Sequence, residues 1–138
     1  MKCKDVMTPN PSYCSPEDIS VKPAKIMRDE DVGIVPVCEQ DKKLVGVVTD
    51  RDICLTVVAE ERNPREVKVS DCMSEDLVTC KPEEDIQKAA DLMKEYQVRR
   101  IPVVDDQGRI LGMIAQADIA RLGDDHATGD VVEAISKS

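Results

Sequence analysis

Aromatic side chains are almost missing from this chain of 138 residues: there is no Phe or Trp, and only two Tyr, Tyr13 and Tyr96. With a hydrophobic content of 41%, a core must be assembled from Val, Ile, Leu, Met and Ala. Long apolar runs are missing too. Stretches such as Leu44 to Val48 are far shorter than the roughly 20 residues a membrane helix needs. No basic segment followed by an apolar one opens the chain, so a soluble, unexported, cytoplasmic protein is expected. Positive charge is in deficit. A net charge of −9 argues against nucleic acid or an anionic membrane as the main partner, because phosphate-backbone binding needs clustered Lys and Arg. A local basic spot can still hold one small anion.

Histidine is limited to His126, and the six cysteines (Cys3, Cys14, Cys38, Cys54, Cys72, Cys80) contain no C-x-x-C pair. Zinc sites usually show close ligand pairs, so no metal site is expected. Without an export signal the cysteines read as reduced and mostly structural. Cys38 and Cys54 sit among apolar neighbours, where a thiol acts as a small buried hydrophobe. No Ser-His-Asp set can be formed around one His in a polar tail, and no Cys has a base beside it in sequence. A non-enzymatic protein follows as the expectation.

What the chain does contain is an internal repeat. Asp5-Val6-Met7 recurs as Asp71-Cys72-Met73, and Cys14 as Cys80. Pro16-Glu17 recurs as Pro82-Glu83, Met27 as Met93, and Pro36-Val37 as Pro102-Val103. Gly46 recurs as Gly112 and Asp52-Ile53 as Asp118-Ile119, every pair being 66 positions apart. The first copy runs over residues 1–61, a polar linker over 62–66, and the second copy over 67–123. A polar break and a short C-terminal helix, with Val131, Val132 and Ile135 on one face, fill 124–138.

Each copy reads as β-α-β-β-α. In the first, an extended piece around Tyr13-Cys14 is closed by Ser15-Pro16. Ser20 is placed to cap a helix from Val21 to Asp29, with Ala24, Ile26 and Met27 inward and Pro23 in its first turn. Strands follow at Ile34 to Cys38 and Leu44 to Val48 around a polar turn, then a helix from Asp50 to about Ala59. The second copy has an extended piece at Leu77 to Cys80 and a helix near Ile86 to Tyr96. Strands at Ile101 to Val104 and Ile110 to Ala115 flank a turn at Asp105-Asp106-Gln107-Gly108. A helix from Gln116 to Leu122 closes it. Two such halves are expected to pack around a pseudo-two-fold axis, giving an α/β (α+β) fold.

The chemistry concentrates in Gly46-Val47-Val48-Thr49-Asp50-Arg51-Asp52-Ile53, an apolar strand feeding directly into a helix. The first turn of such a helix offers unpaired N–H groups and the positive end of its dipole, which suit a phosphate. Thr49 is placed to donate a hydroxyl to that phosphate, and Asp52 to accept from ribose hydroxyls. The same Thr-x-x-Asp spacing also fits a capping box, in which the two side chains satisfy the helix's own amides. Spacing leaves both readings open.

The paired repeat, with Val6-Met7 opening, Ile34-Val35-Pro36-Val37 in the middle and the Gly46 to Ile53 stretch at the end, resembles a tandem cystathionine-β-synthase (CBS) domain pair, or Bateman module. The likeness covers about Lys4 to Leu122, and Gly-h-h-[ST]-x-x-D is among the family's more specific signatures. The resemblance implies a regulatory module that binds an adenine nucleotide or adenosyl ligand of the AMP, ADP or ATP type in clefts between the repeats. It implies no separate cofactor, and commonly a disc-like homodimer. The family's phosphate and ribose positions fall on Thr49 and Asp52, with Arg51 in the same turn.

The copies differ. The second signature reads Gly112-Met113-Ile114-Ala115-Gln116-Ala117-Asp118, so the hydroxyl of Thr49 is replaced by Ala115 while Asp118 keeps a carboxylate. Arg99-Arg100 stands where the first copy has Gly33-Ile34, and family members often carry basic residues there facing phosphates. A solvated surface pair is the other reading. One strong site combining Thr49 and Asp52 with Arg99 or Arg100 is expected, with a weaker or empty one at Asp118. The extended pieces Asn10 to Cys14 (with Tyr13 and Cys14) and Leu77 to Cys80, together with Ile34, Val35 and Pro36, are candidates for an adenine slot, although a Tyr in a short strand is more often packing. With no catalytic domain in the chain, such a module is expected to act on a protein partner in trans or to sense a ligand on its own. Its rivals are a ligand-free dimerisation or adaptor module and a small nucleotide hydrolase or transferase.

Overall fold

In the computed structural model residues 1–122 are described; His126, the polar break and the expected helical turn at 131–135 lie outside them. In chain order the elements are α1 (Cys3–Val6), β1 (Thr8–Pro9), α2 (Val21–Glu30), β2 (Ile34–Cys38), β3 (Leu44–Thr49), α3 (Asp50–Ile53), α4 (Ile86–Tyr96), β4 (Arg100–Val104), β5 (Ile110–Ala115) and α5 (Gln116–Ala120). They fall into two compact units: Ser12–Leu77, and Met1–Pro11 together with residues 78–122.

In the first of these, β2 and β3 form an antiparallel pair with Ile34 opposite Thr49 and Val37 opposite Gly46. Inward and outward positions alternate along β3, as a strand with one buried face requires. Val35, Val37, Val48, Val57, Val67 and Val69 form the core with Cys14 and Cys72, and Ile26 and Met27 of α2 pack against it. In the other unit the strand order is β1-β5-β4. Cys3, Cys80, Ala89, Ala90, Met93, Ile101, Val103, Ile114 and Ile119 make its core. Small and β-branched side chains thus do the filling in both, as the lack of aromatics demands.

The compact units are not the sequence repeats. The segment opening each repeat docks on the unit built from the other repeat, and the hydrogen bonds are reciprocal. Cys3 and Lys4 amides donate to Glu84 and Pro82 carbonyls at 2.8 and 3.0 Å, and Ile86 N–H donates to Met1 at 2.9 Å. Sixty-six positions on, Val69 and Ser70 donate to Asp18 and Pro16 at 2.8 and 3.0 Å, and Ser20 donates to Val67 at 2.8 Å. Each segment then runs along the last strand of its host. Thr8 and Pro9 pair with Met113 and Gly112 of β5, and Ser74 bridges Val47 of β3. Glycine is required at both crossings. A Cβ on Gly46 would lie 2.7 Å from the Ser74 carbonyl oxygen, and one on Gly112 2.8 Å from that of Thr8. The glycine of the signature is therefore a backbone-approach residue.

Several expectations are corrected. The extended pieces at Cys14 and Cys80 are single parallel bridges to Val37 and Val103, not full strands. Ser20 stands at the start of α2, but its hydroxyl does not cap it. It donates to the Pro64 carbonyl at 2.7 Å, tying down the linker. Ala24 is exposed, and buried Pro23 takes the inward place beside half-buried Ile26 and Met27. The helix from Asp50 is α-helical only to Ile53 and then widens into a π turn, Cys54–Val58, closed by Ala59 N–H to the Cys54 carbonyl at 2.9 Å. Cys54 is exposed there, while the other five cysteines are buried; all six are free thiols. An apolar sequence neighbourhood does not bury a residue whose helix turns that face outward.

Candidate functional site

The turn after β3 is built as follows. Thr49 is still extended, and its hydroxyl oxygen accepts from Asp52 N–H at 3.1 Å while Asp52 Oδ2 accepts from Thr49 N–H at 2.9 Å. Capping is therefore real. It uses only part of each group: the Thr49 hydroxyl proton and Asp52 Oδ1 have no partner among the described residues. Asp50 N–H donates to the Gly33 carbonyl at 3.0 Å, pinning the turn to the start of β2. The Asp50 carboxylate lies over Gly33, where a Cβ would come within 3.3 Å of it. Arg51 is exposed, its guanidinium without a partner among the described residues. Ile34, directly across from Thr49, is half-buried at the same edge.

The equivalent turn after β5 keeps the backbone and loses the openness. Gln116 N–H donates to the Arg99 carbonyl at 2.8 Å, just as Asp50 does to Gly33. Asp118 Oδ2 accepts from Ala115 N–H at 2.7 Å, but Oδ1 is held by the Arg121 guanidinium. Both oxygens are committed and Asp118 is buried. Leu55 occupies the position of Arg121 in the first copy, so no such pair can form there. Arg100 lies across from Ala115, in the unit of Asp118 rather than that of Thr49 and Asp52. Arg99 is exposed and Arg100 half-buried, and neither has a side-chain partner among the described residues.

Part of the expected adenine slot is buried. Val35 is fully buried in the core, and Pro36 is buried as well. Cys14 is buried, its N–H donates to Pro36, its carbonyl accepts from Cys38, and its thiol faces the Pro36 carbonyl. The side chains of Val35 and Cys14 hold the β2 edge in place and cannot line a ligand. Tyr13 is 39% exposed, so it is not packing in a core as its short strand suggested. Asp50 and Gly33 are the residues that sequence reasoning missed. Their only signal was one position on either side of residues already singled out.

Burial pushes the Cys14 thiol up to about 12 and that of Cys38 to about 11. Cys3, Cys72 and Cys80 are raised for the same reason. All five stay protonated at neutral pH and are poor nucleophiles. Among the described residues no group of three or more His, Cys, Asp or Glu side chains is arranged to hold a metal ion. No described helix is long and apolar enough to cross a membrane.

Two gapless β-hairpin and helix repeats, each ending in a glycine-crossed strand and a carboxylate-capped turn, define a paired module. The family model of the CBS domain matches residues 3–59 and 69–125, and the chain belongs to that family as a tandem pair. It is similar to the CBS domain-containing protein YhcV of Bacillus subtilis, 38% identical over 85% of this chain and 81% of that one. To hypoxic response protein 1 of Mycobacterium tuberculosis it is 31% identical over 96% and 92%. It spans 55% of the length of a Methanopyrus kandleri relative, at 32% identity over 78% of this chain. Among solved structures, CBSX2 in complex with AMP, from Arabidopsis thaliana, superposes with a TM-score of 0.78 at 25% identity, covering 88% of this chain and 95% of that one. The CBS domain pair of protein MJ0100, in complex with 5′-methylthioadenosine and S-adenosyl-L-methionine, gives 0.75 at 27% identity, covering 89% and 95%.

Proposed function

We propose that the chain is a non-enzymatic regulatory module that binds an adenine nucleotide or another adenosyl ligand at the turn after β3 and signals to a protein partner in trans, as a homodimer. The observation that carries this reading is the unspent half of the Thr49–Asp52 box. A capping box draws on one acceptor of each side chain, so one hydroxyl proton and one carboxylate oxygen remain available here at a positive helix start. That is the complement of a phosphate beside a ribose diol. The AMP and S-adenosylmethionine complexes of the two structural neighbours support the ligand class. The turn after β5 is spent on Ala115 and Arg121, and in this reading it is the weaker or empty site.

Ligand binding acts by population shift: it favours one arrangement of the module by no more than its differential affinity for the alternatives. The test is calorimetric titration of purified, nucleotide-free protein with AMP, ADP, ATP and S-adenosylmethionine, repeated on Asp52→Asn. Micromolar-order binding of one ligand, weakened at least about tenfold in the variant, supports the reading. No heat from any of them from folded protein moves the function to a ligand-free adaptor, and steady turnover of ATP moves it to a nucleotide hydrolase.

A further inference from the structure

The strand exit at Thr49 and the first turn of α3 have no backbone donor to spare. Thr49 N–H goes to Asp52 Oδ2 and Asp52 N–H to the Thr49 hydroxyl oxygen, while Asp50 N–H donates to the Gly33 carbonyl at 3.0 Å. The amide left over, that of Arg51, donates to Asp50 Oδ1 at 2.8 Å. The positive end of the helix is therefore already met by the chain's own oxygens, one of them on the Asp50 carboxylate. That carboxylate is exposed and lies over Gly33, which has no side chain to cover it. Across residues 49–52 the carboxylates of Asp50 and Asp52 stand against the single guanidinium of Arg51. The other copy carries the opposite sign at the same two places: sixty-six positions on, Asp50 becomes Gln116 and Gly33 becomes Arg99. The backbone bond joining the two places is kept, at 3.0 Å in one copy and 2.8 Å in the other. Only the charge has been exchanged.

We propose that Asp50 is a specificity-determining residue, which makes the turn after β3 favour an adenosyl ligand with at most one phosphate over ADP and ATP; this rests on the adenosyl-binding reading given above. What the turn leaves available is the hydroxyl proton of Thr49 and Oδ1 of Asp52. The oxygen suits a ribose diol, and the proton satisfies one phosphate oxygen. A second or third phosphate needs further donors, and the amides that would supply them at an open helix start are taken. It also brings negative charge to a place that already holds two carboxylates. Asp50 follows Thr49 directly, about 3.8 Å on along the backbone, well inside the Debye length of about 8 Å at physiological salt. Nor does its carboxylate swing freely into solvent, because the Arg51 amide ties down Oδ1. Arg51 offsets one of the two charges, but its guanidinium is exposed on a long side chain with no partner among the described residues to aim it.

The experiment titrates the full chain, Asp50→Asn and Asp50→Gln with S-adenosylmethionine, AMP and ATP in magnesium-free buffer, at low and at high salt. Asn keeps an acceptor for the Arg51 amide, and Gln is the residue the other copy uses at this place. Position 50 is exposed, so both variants keep the fold. The wild-type chain is expected to bind its best ligand of no more than one phosphate at least about tenfold more tightly than ATP. That gap is expected to narrow as salt is raised, as a charge effect must. In both variants ATP is expected to tighten at least about fivefold while the best ligand changes by no more than about twofold. ATP bound as tightly as AMP by the wild-type chain, a gap that salt leaves alone, or ATP affinity unchanged in both variants would each overturn the role of Asp50 and leave the adenosyl reading standing. Binding of none of the three by the wild-type chain would remove both.

Discussion

The turn after β3 and the turn after β5 share a backbone and differ in what their carboxylates are left to do. Both are pinned by an amide to the carbonyl 17 positions earlier, Asp50 to Gly33 and Gln116 to Arg99, and both use Oδ2 of the aspartate to cap the strand exit. In the first, Thr49 shares the capping and Asp52 keeps an oxygen in reserve. In the second, Ala115 contributes no polar atom and Arg121 takes what Asp118 has left. Duplication thus preserved the scaffold while two substitutions, at the positions of Thr49 and Leu55, turned one candidate site inward. Keeping a fold and keeping a site are separate requirements, met by different residues of the same short motif.

The scaffold half of this comparison is broken most severely at the glycine crossings. Gly46→Ala and Gly112→Ala each force a Cβ against a carbonyl oxygen of the docked segment. Each is expected to lower stability by about 2–3 kcal/mol, read from urea midpoints at unchanged slope. A loss below about 0.5 kcal/mol at either would show that the crossing yields. Met93 and Met27 sharpen the same comparison in the helices. Met93 is fully buried and Met27 only half-buried, so Met93→Ala should cost about 3 kcal/mol and Met27→Ala about half of that. Equal costs would mean that Met27 is covered in solution by something else.

The site half is tested by pairing Asp52→Asn with Asp118→Asn in the same ligand titration. Affinity is expected to fall at least about tenfold, about 1.4 kcal/mol, in the first and to stay within about twofold in the second. Loss in Asp118→Asn alone would reverse the assignment of open and closed turns. The smallest effect concerns the salt links of the two docked segments. Lys2 and Lys4 both hydrogen-bond the exposed Glu83 carboxylate at 2.6 and 2.9 Å, holding it down to about 2. A depressed carboxylate stabilises the fold above its unfolded value near 4.5 and loses that contribution as pH falls toward 2. Protection of the α1 amides should decline across this window, and Glu83→Gln should remove the decline. The counterpart is Lys68, raised by Glu17. Its contribution is lost as pH rises beyond the ordinary lysine value.

Much of the local structure was legible because it rests on short-range physics. The boundaries of β2 and α4 follow from alternation and helical spacing ended by polar residues, and both run as read, Ile34–Cys38 and Ile86–Tyr96. Within the site, the capping pair was readable at Thr49 and Asp52 and its failure at Ala115. Arg121 as the partner of Asp118 was not, since a residue three positions on along a helix is only one of several candidates for a buried carboxylate. The burial of Val35 and Cys14 was not legible for a related reason: which side of a two-residue alternation faces the core is set by what packs there. Ser20 looked like a cap, and tertiary structure gave its hydroxyl to Pro64 instead.

By itself the chain's residue order determined the repeat, its period, the hairpins and helices, and the chemistry available at each strand exit. These depend on neighbours a few residues away, where propensity and hydrophobic period act. Only the tertiary structure decided that each opening segment docks on the unit of the other repeat. That docking rests on backbone hydrogen bonds and two bare glycines, and backbone amides look alike in any sequence. It also brought Cys3 of α1 into the core that holds Cys80, residues far apart in the chain that no spacing rule could connect.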